Sequence, residues 1–236
     1  PFNEVDNVIL SELVYVDFSD IVPGIGEKSV TLAEASERFF VQHTEEEIQA
    51  RVSSTKMAAF MMREMAKTKR FQDIRLSDYV DDIRLDAQSQ FCAMTVDLGD
   101  GCCNVVYSGT DSTIVGWKED FNMSFLTETP GQAEAVEYLK RVAADYEEPL
   151  RLMGHSKGGN LAVYAAVNSD RALQDRIEII YSNDGPGFND AMIDQKAYRG
   201  LIDRITTIVP ESSIVGMLFE HEEEYEVVRS TGSGAG

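Results

Sequence analysis

Gly154-His155-Ser156-Lys157-Gly158-Gly159 carries the strongest chemical signal in this chain. The short apolar run Leu150 to Met153 stops there, and an alanine-rich helical pattern from Leu161 to Ala166 follows with no loop between. Strand, sharp turn and helix in direct succession are what a nucleophile elbow requires, with the serine forced into a sparsely populated backbone conformation. Glycines two before and two after the serine let strand and helix approach without a Cβ between them. The spacing predicts that Ser156 Oγ projects at the carboxyl edge of a sheet, where it can attack an acyl carbonyl. The competing expectation is a glycine-rich turn with a bystander serine.

A serine hydroxyl is a poor nucleophile at neutral pH and needs a base, an acid to hold the base, and donors for the oxyanion. One donor is the backbone N–H of Lys157, at a helix amino terminus where the dipole favours negative charge. The second is expected from the end of an earlier strand, Val105 to Thr110, where Thr110 offers N–H and Oγ; an ordinary strand end is the alternative. Two acids follow later strands: Asp184, in Asn183-Asp-Gly-Pro-Gly187, and Glu211, in Val209-Pro-Glu-Ser212. An Asx turn or helix cap would also explain Asp184. The chain has three histidines. His43 precedes the sheet, and the His155 side chain is expected to point away from its neighbour Ser156. His221 is a weak candidate for the base, because the order nucleophile, acid, histidine puts the base after the last strand. A solvated acidic helix face also accounts for it. Lys157 could attract an anionic substrate, or be a solvent-facing helix residue. Trp117, Phe121, Met123 and Phe125 could form a lid or acyl-binding surface, or core.

The elements that must position these groups change in period near residue 72. Before it, Val5, Val8, Ile9, Leu13 and Val16 predict an amphipathic helix over residues 3 to 18, broken by Pro23-Gly24-Ile25-Gly26. Thr31 with Glu34, and Thr44 with Glu47, are capping boxes opening two more helices. Met57, Phe60, Met61 and Met65 form a methionine-rich stripe on a fourth over Ser54 to Lys67, read as adaptable core with a ligand surface as the alternative. After it, Ile74 to Leu85, Gln90 to Leu98 and Cys102 to Ser108 read as antiparallel strands, with Gly99-Asp100-Gly101 as a hairpin turn. Pro130 opens a helix to Tyr146. Strands at Leu150 to Met153, Ile177 to Ser182, Arg204 to Val209 and Tyr225 to Arg229 then alternate with helices to Val167, near Ala191 to Tyr198, and around Val215 to Glu223. That alternation predicts an α/β fold with a mostly parallel central sheet, antiparallel leading strands and a helical N-terminal part over residues 1–72.

A length of 236 residues with 43% hydrophobic content suits one domain, with 231–236 a flexible end. A net charge of −20 disfavours nucleic acid or an anionic membrane surface as partner. Cys92, Cys102 and Cys103 have no metal-ligand spacing, and the adjacent pair lacks a redox pattern, so a reducing, cytoplasmic setting without metal or cofactor is expected. No segment is long and apolar enough for integral membrane association.

Tyr107-Ser-Gly-Thr110 resembles the F-R-G-T oxyanion motif of class-three (fungal-type) lipases, with Ser108 in place of the arginine, and the elbow matches their G-H-S-x-G-G. Across nearly the whole chain, including residues 110–125 and Ser182-Asn-Asp-Gly-Pro-Gly-Phe188, the sequence is similar to a bacterial family of lipase-like α/β-hydrolases of no established substrate. The resemblance implies the α/β-hydrolase fold and a serine hydrolase acting on a small-molecule acyl ester, thioester or lipid-like substrate. Pancreatic-type lipases carry their triad aspartate at the strand end where Asp184 stands, so Asp184 is preferred; many α/β-hydrolases place theirs where Glu211 stands. In the resembled family the base is expected just beyond the final strand, so this chain is expected to stop short of it. The alternative reading is a non-catalytic lipase-like protein that binds a ligand or protein.

Overall fold

The computed structural model describes residues 1–51, 56–84, 89–110, 128–211, 213, 215–217, 222–223 and 225–229. Its centre is a sheet of eight strands in sequential order: β1 (Val30–Thr31), β2 (Arg75–Arg84), β3 (Ser89–Asp97), β4 (Cys103–Tyr107), β5 (Leu150–His155), β6 (Ile177–Asn183), β7 (Ile205–Pro210) and β8 (Tyr225–Val228). The pairs from β1 to β4 are antiparallel and those from β4 to β8 parallel. The β3–β4 hairpin forms at the expected glycines, which take positive φ at Gly99 (+72°) and Gly101 (+83°).

Between the parallel strands run α5 (Pro130–Asp145), α6 (Lys157–Val167), α7 (Arg171–Arg176), α8 (Asp190–Ile193) and α9 (Lys196–Leu201). Every parallel step moves to the next strand in the same direction, and right-handed crossovers then keep their helices on one face. Leu139, Leu161 and Tyr198 accordingly pack with Val105, Tyr107, Leu152 and Ile180. The opposite pleat, with Val106, Met153 and Tyr181, must be covered by something else. The N-terminal helices α1 (Glu4–Leu13), α2 (Leu32–Gln42) and α4 (Met57–Met65) do this through Leu10, Leu13, Phe39 and Met62, while α3 (Glu45–Ala50) adds Ile48. The period-two alternation along β4 to β6 therefore sorts side chains between two cores. No helix among the described residues is long and apolar enough to cross a membrane.

Both expected capping boxes are present, at Thr31 with Glu34 and Thr44 with Glu47. Asn3 with Asp6 caps α1 in the same way, and Thr129 caps α5 with Pro130 at its start. Other elements depart from expectation. α1 ends at Leu13, and Val14, Val16 and Phe18 are buried from a turn segment beyond it. The buried face of α4 is Ala58, Ala59, Met62 and Met65, whereas Met57 is 62% exposed. The helix expected near Ala191 to Tyr198 is two short ones, α8 and α9, and a 3-10 turn at Val215–Met217 is the helical structure among the described residues of 215–223. β1 and α7 had no recognised sequence signal.

Candidate active site

β5 ends at His155 and α6 begins at Lys157, so the chain reverses direction at Ser156 alone, with φ 55° and ψ −128°. Serine at a helix N-cap ordinarily has extended backbone and accepts a bond from the first turn. Ser156 makes no such bond, so its hydroxyl is left available. The flanking glycines are required by contact. A Cβ on Gly158 would lie 2.2 Å from the Tyr107 carbonyl oxygen, and one on Gly154 would lie 2.3 Å from the Gly158 carbonyl carbon. The strained peptide is fastened on each side. Ser156 N–H donates to the Asn183 carbonyl at 2.8 Å, the Tyr15 hydroxyl donates to the His155 carbonyl at 3.3 Å, and Gly159 N–H donates to the Ser156 carbonyl at 2.9 Å.

Sheet register sets the heights of the surrounding groups. Tyr107, Gly154, Ser182 and Thr207 form one row across β4 to β7. Thr110 lies three residues beyond that row, Ser156 and Asp184 two each, and Glu211 four. A Cβ on Gly109 would come 2.6 Å from the His155 carbonyl, so the Ser108–Thr110 segment rests directly on the elbow. Thr110 is partly exposed there. Asp184 leaves the neighbouring strand beside Ser156, since His155 and Asn183 are paired. It too has positive φ, 53°. Its N–H donates to Ile208 at 2.7 Å, and its Oδ1 accepts from Gly216 N–H at 3.1 Å and from the Ser213 hydroxyl. Glu211 is exposed after β7, one strand farther from the elbow, with its N–H on the Val228 carbonyl at 2.9 Å.

The Lys157 side chain departs from the expectation of a solvent-facing residue: it is 2% exposed, and its ammonium donates to the Gln90 carbonyl at 2.9 Å. At the tip of a one-residue turn its side chain is directed back onto the start of β3 rather than outward to a substrate. His43 closes α2 and packs against Phe39, the two rings tilted at 50° with centroids 4.6 Å apart. His155 Nδ1 meets the Tyr15 hydroxyl at 3.1 Å and Glu12 Oε1 at 3.3 Å. His221, Trp117, Phe121, Met123 and Phe125 lie outside the described residues.

Sequence reasoning missed a buried polar cluster beneath the elbow. Asn183 Nδ2 donates to Asn7 Oδ1 at 3.0 Å, Ser11 Oγ at 3.0 Å and the Gly154 carbonyl at 3.1 Å, and Asn7 Nδ2 donates back to Asn183 Oδ1 at 2.7 Å. A second cluster links Gln132 Nε2 to Asn160 Oδ1 at 2.9 Å, and Asn160 Nδ2 to the Pro186 and Gly187 carbonyls at 3.1 and 3.2 Å. Asn7 and Ser11, four residues apart on the side of α1 that buries Leu10, were the available signal: polar groups on an apolar face need partners.

A family model described as Mbeg1-like matches residues 65–235. No curated protein sequence matches the chain. Among solved structures it is similar to M37 lipase, with 15% identity and a TM-score of 0.53 over 91% of this chain and 69% of that one. It is also similar to Rhizomucor miehei lipase in its propeptide complex (18%, TM-score 0.48, 66% of this chain) and to lipase II from Rhizopus niveus (14%, TM-score 0.46, 66% of this chain and 67% of that one). The match spans 57% of the Rhizomucor miehei chain. The likeness to M37 lipase shows a lipase-like α/β-hydrolase fold.

Proposed function

This chain belongs to the Mbeg1-like family, and we propose that it is a serine hydrolase cleaving a carboxylic ester or thioester through an acyl-enzyme on Ser156. The observation that carries the reading is the backbone of Ser156, held at φ 55° and ψ −128° with its hydroxyl excused from capping the helix it starts. Strain of this kind persists only where surrounding structure enforces it, and it clusters at active sites.

In the proposed reaction a histidine takes the Ser156 hydroxyl proton as Oγ bonds to the acyl carbon. Lys157 N–H and Thr110 stabilise the oxyanion, each such donor being worth about 10²- to 10³-fold in rate. The carbon–oxygen or carbon–sulfur bond then breaks, and the leaving alcohol or thiol carries off the proton. Water, deprotonated by the same histidine, releases the acid and restores the serine. Asp184 orients that histidine: one of its oxygens is fixed by Ser213 and Gly216, and the other makes no hydrogen bond among the described residues. His155, the residue before the nucleophile, is a poor choice for the base, because its ring is held beside Tyr15 and Glu12 of the N-terminal helical part. The base is sought on the C-terminal side of the acid, where His221 is the candidate this sequence offers. The lipase-like fold suggests a lipid-like acyl ester as substrate.

The test is reaction with a fluorophosphonate probe and turnover of p-nitrophenyl esters by the protein and by Ser156→Ala. Loss of both in the variant is expected; removing the nucleophile of a serine protease costs about 10⁶-fold in kcat. Undiminished activity in Ser156→Ala ends the proposal. A folded wild-type protein inert to the probe favours a non-catalytic, ligand- or protein-binding role.

A further inference from the structure

We propose that Tyr15 is a positioning residue for the elbow, holding the peptide bond before Ser156 in the orientation that the strained serine requires; this rests on the reading of Ser156 as nucleophile. Tyr15 lies in the turn after α1, 141 positions from Ser156 in the sequence numbering, yet its hydroxyl sits at the junction of the elbow and the Ser108–Thr110 segment. It donates to the His155 carbonyl at 3.3 Å and lies 2.1 Å from where a Cβ on Gly109 would be. The His155 ring completes the contact: with the proton on Nδ1 it donates to the Tyr15 oxygen at 3.1 Å, and Glu12 Oε1 at 3.3 Å favours that tautomer. The two rings also meet edge to face, with centroids 5.9 Å apart.

The peptide between His155 and Ser156 has its C=O held by Tyr15 and its N–H held by the Asn183 carbonyl, and the Ser156 carbonyl is held by Gly159. With its neighbours fixed, Ser156 has little freedom to turn from φ 55° toward ordinary values. Tyr15 supplies the one side-chain hydrogen bond among these three. It also fills the space beside Gly109, so the same hydroxyl sets how closely the segment bearing Thr110 approaches the elbow.

Tyr15→Phe keeps the ring and removes the hydroxyl. Two measurements test it against the wild type: p-nitrophenyl ester kinetics with fluorophosphonate labelling, and hydrogen exchange at the Ser156 amide. A variant with wild-type melting behaviour is expected to label and turn over about 3- to 10-fold more slowly, with KM unchanged and Ser156 exchange faster, as expected for loss of one hydrogen bond. A general structural role would instead lower the melting midpoint and leave labelling of the folded fraction unchanged. Wild-type labelling and turnover in Tyr15→Phe overturns the proposal, and so does unchanged Ser156 exchange. If the wild type itself does not react, the hydrolase reading fails separately, and amide exchange alone decides whether Tyr15 holds the peptide.

Discussion

Replacing Ser156 by glycine should make the protein more stable while removing its proposed chemistry. Serine at φ 55° and ψ −128° occupies backbone space that only glycine enters without penalty. A residue held there costs about 1–3 kcal/mol. Glycine relieves that cost but adds freedom to the unfolded chain, which takes back about 0.4–1 kcal/mol. The net gain is about 0.5–2 kcal/mol, and for a chain of this size it raises the melting midpoint by about 1–8 °C. Ser156→Ala is the control, since it loses the same hydroxyl but keeps Cβ and therefore the strain. Urea unfolding and calorimetry of both variants isolate the backbone contribution, because every effect of the hydroxyl cancels between them. Ester hydrolysis should be absent from both. If the glycine variant is no more stable than the alanine variant, the elbow is not strained and the argument for Ser156 loses its main support.

Glycine-to-alanine changes should separate by what the new Cβ meets. At Gly158 it meets backbone at 2.2 Å and should destabilise by about 1–3 kcal/mol; at Gly159 it meets the Ser182 hydroxyl at 2.7 Å, which can swing aside, and should cost less. At Gly200, in α9 with nothing within 4 Å, it should stabilise by about 0.5–1 kcal/mol, and equal melting shifts at positions 158 and 200 would contradict the packing. Burial pushes the Cys102 thiol up to about 12 and raises Cys92 and Cys103 as well, so a disulfide reagent at pH 8 should titrate the three only after denaturation. Since these thiols and the buried Tyr107 hydroxyl stay protonated in the fold while the unfolded chain releases their protons, stability should fall as pH rises above about 9; a flat denaturation midpoint from pH 8 to 11 would refute this.

What could be read from the sequence was what is decided locally. The capping boxes at Thr31 and Thr44 close within three residues, and the glycines of the elbow and hairpin mark conformations that other residues enter only with strain. The apolar runs of β4 to β6 were legible because a strand covered on both faces has few positions for polar side chains. Lys157 was misread because charge at an elbow's apex predicts exposure, whereas the turn aims it back at the Gln90 carbonyl. The face of α4 was misplaced because Met57 and Met62 are equally apolar, and only the packing of the helix against α1 and α2 decides which is buried. Asn7 and Asn183 are 176 residues apart, and neither suggests the other until α1 lies across β5 and β6.

That helix explains how a strained residue can be kept in place. The register of β4, β5 and β6 brings Thr110, Ser156 and Asp184 to one edge of the sheet, but register fixes height, not orientation. Orientation comes from hydrogen bonds on either side of the serine. Asn183 supplies two of them: its carbonyl takes Ser156 N–H, and its amide holds the Gly154 carbonyl. Its side chain is itself fixed by Asn7 and Ser11 of α1, and Tyr15 just beyond that helix holds the His155 carbonyl. All three of these N-terminal residues precede the 65–235 stretch that matches the family model. The elbow motif and Asn183 therefore lie within the matched segment, while Asn7, Ser11 and Tyr15, which hold Asn183 and the His155 carbonyl, come from outside it, and packing of α1 against the sheet becomes part of how Ser156 is presented.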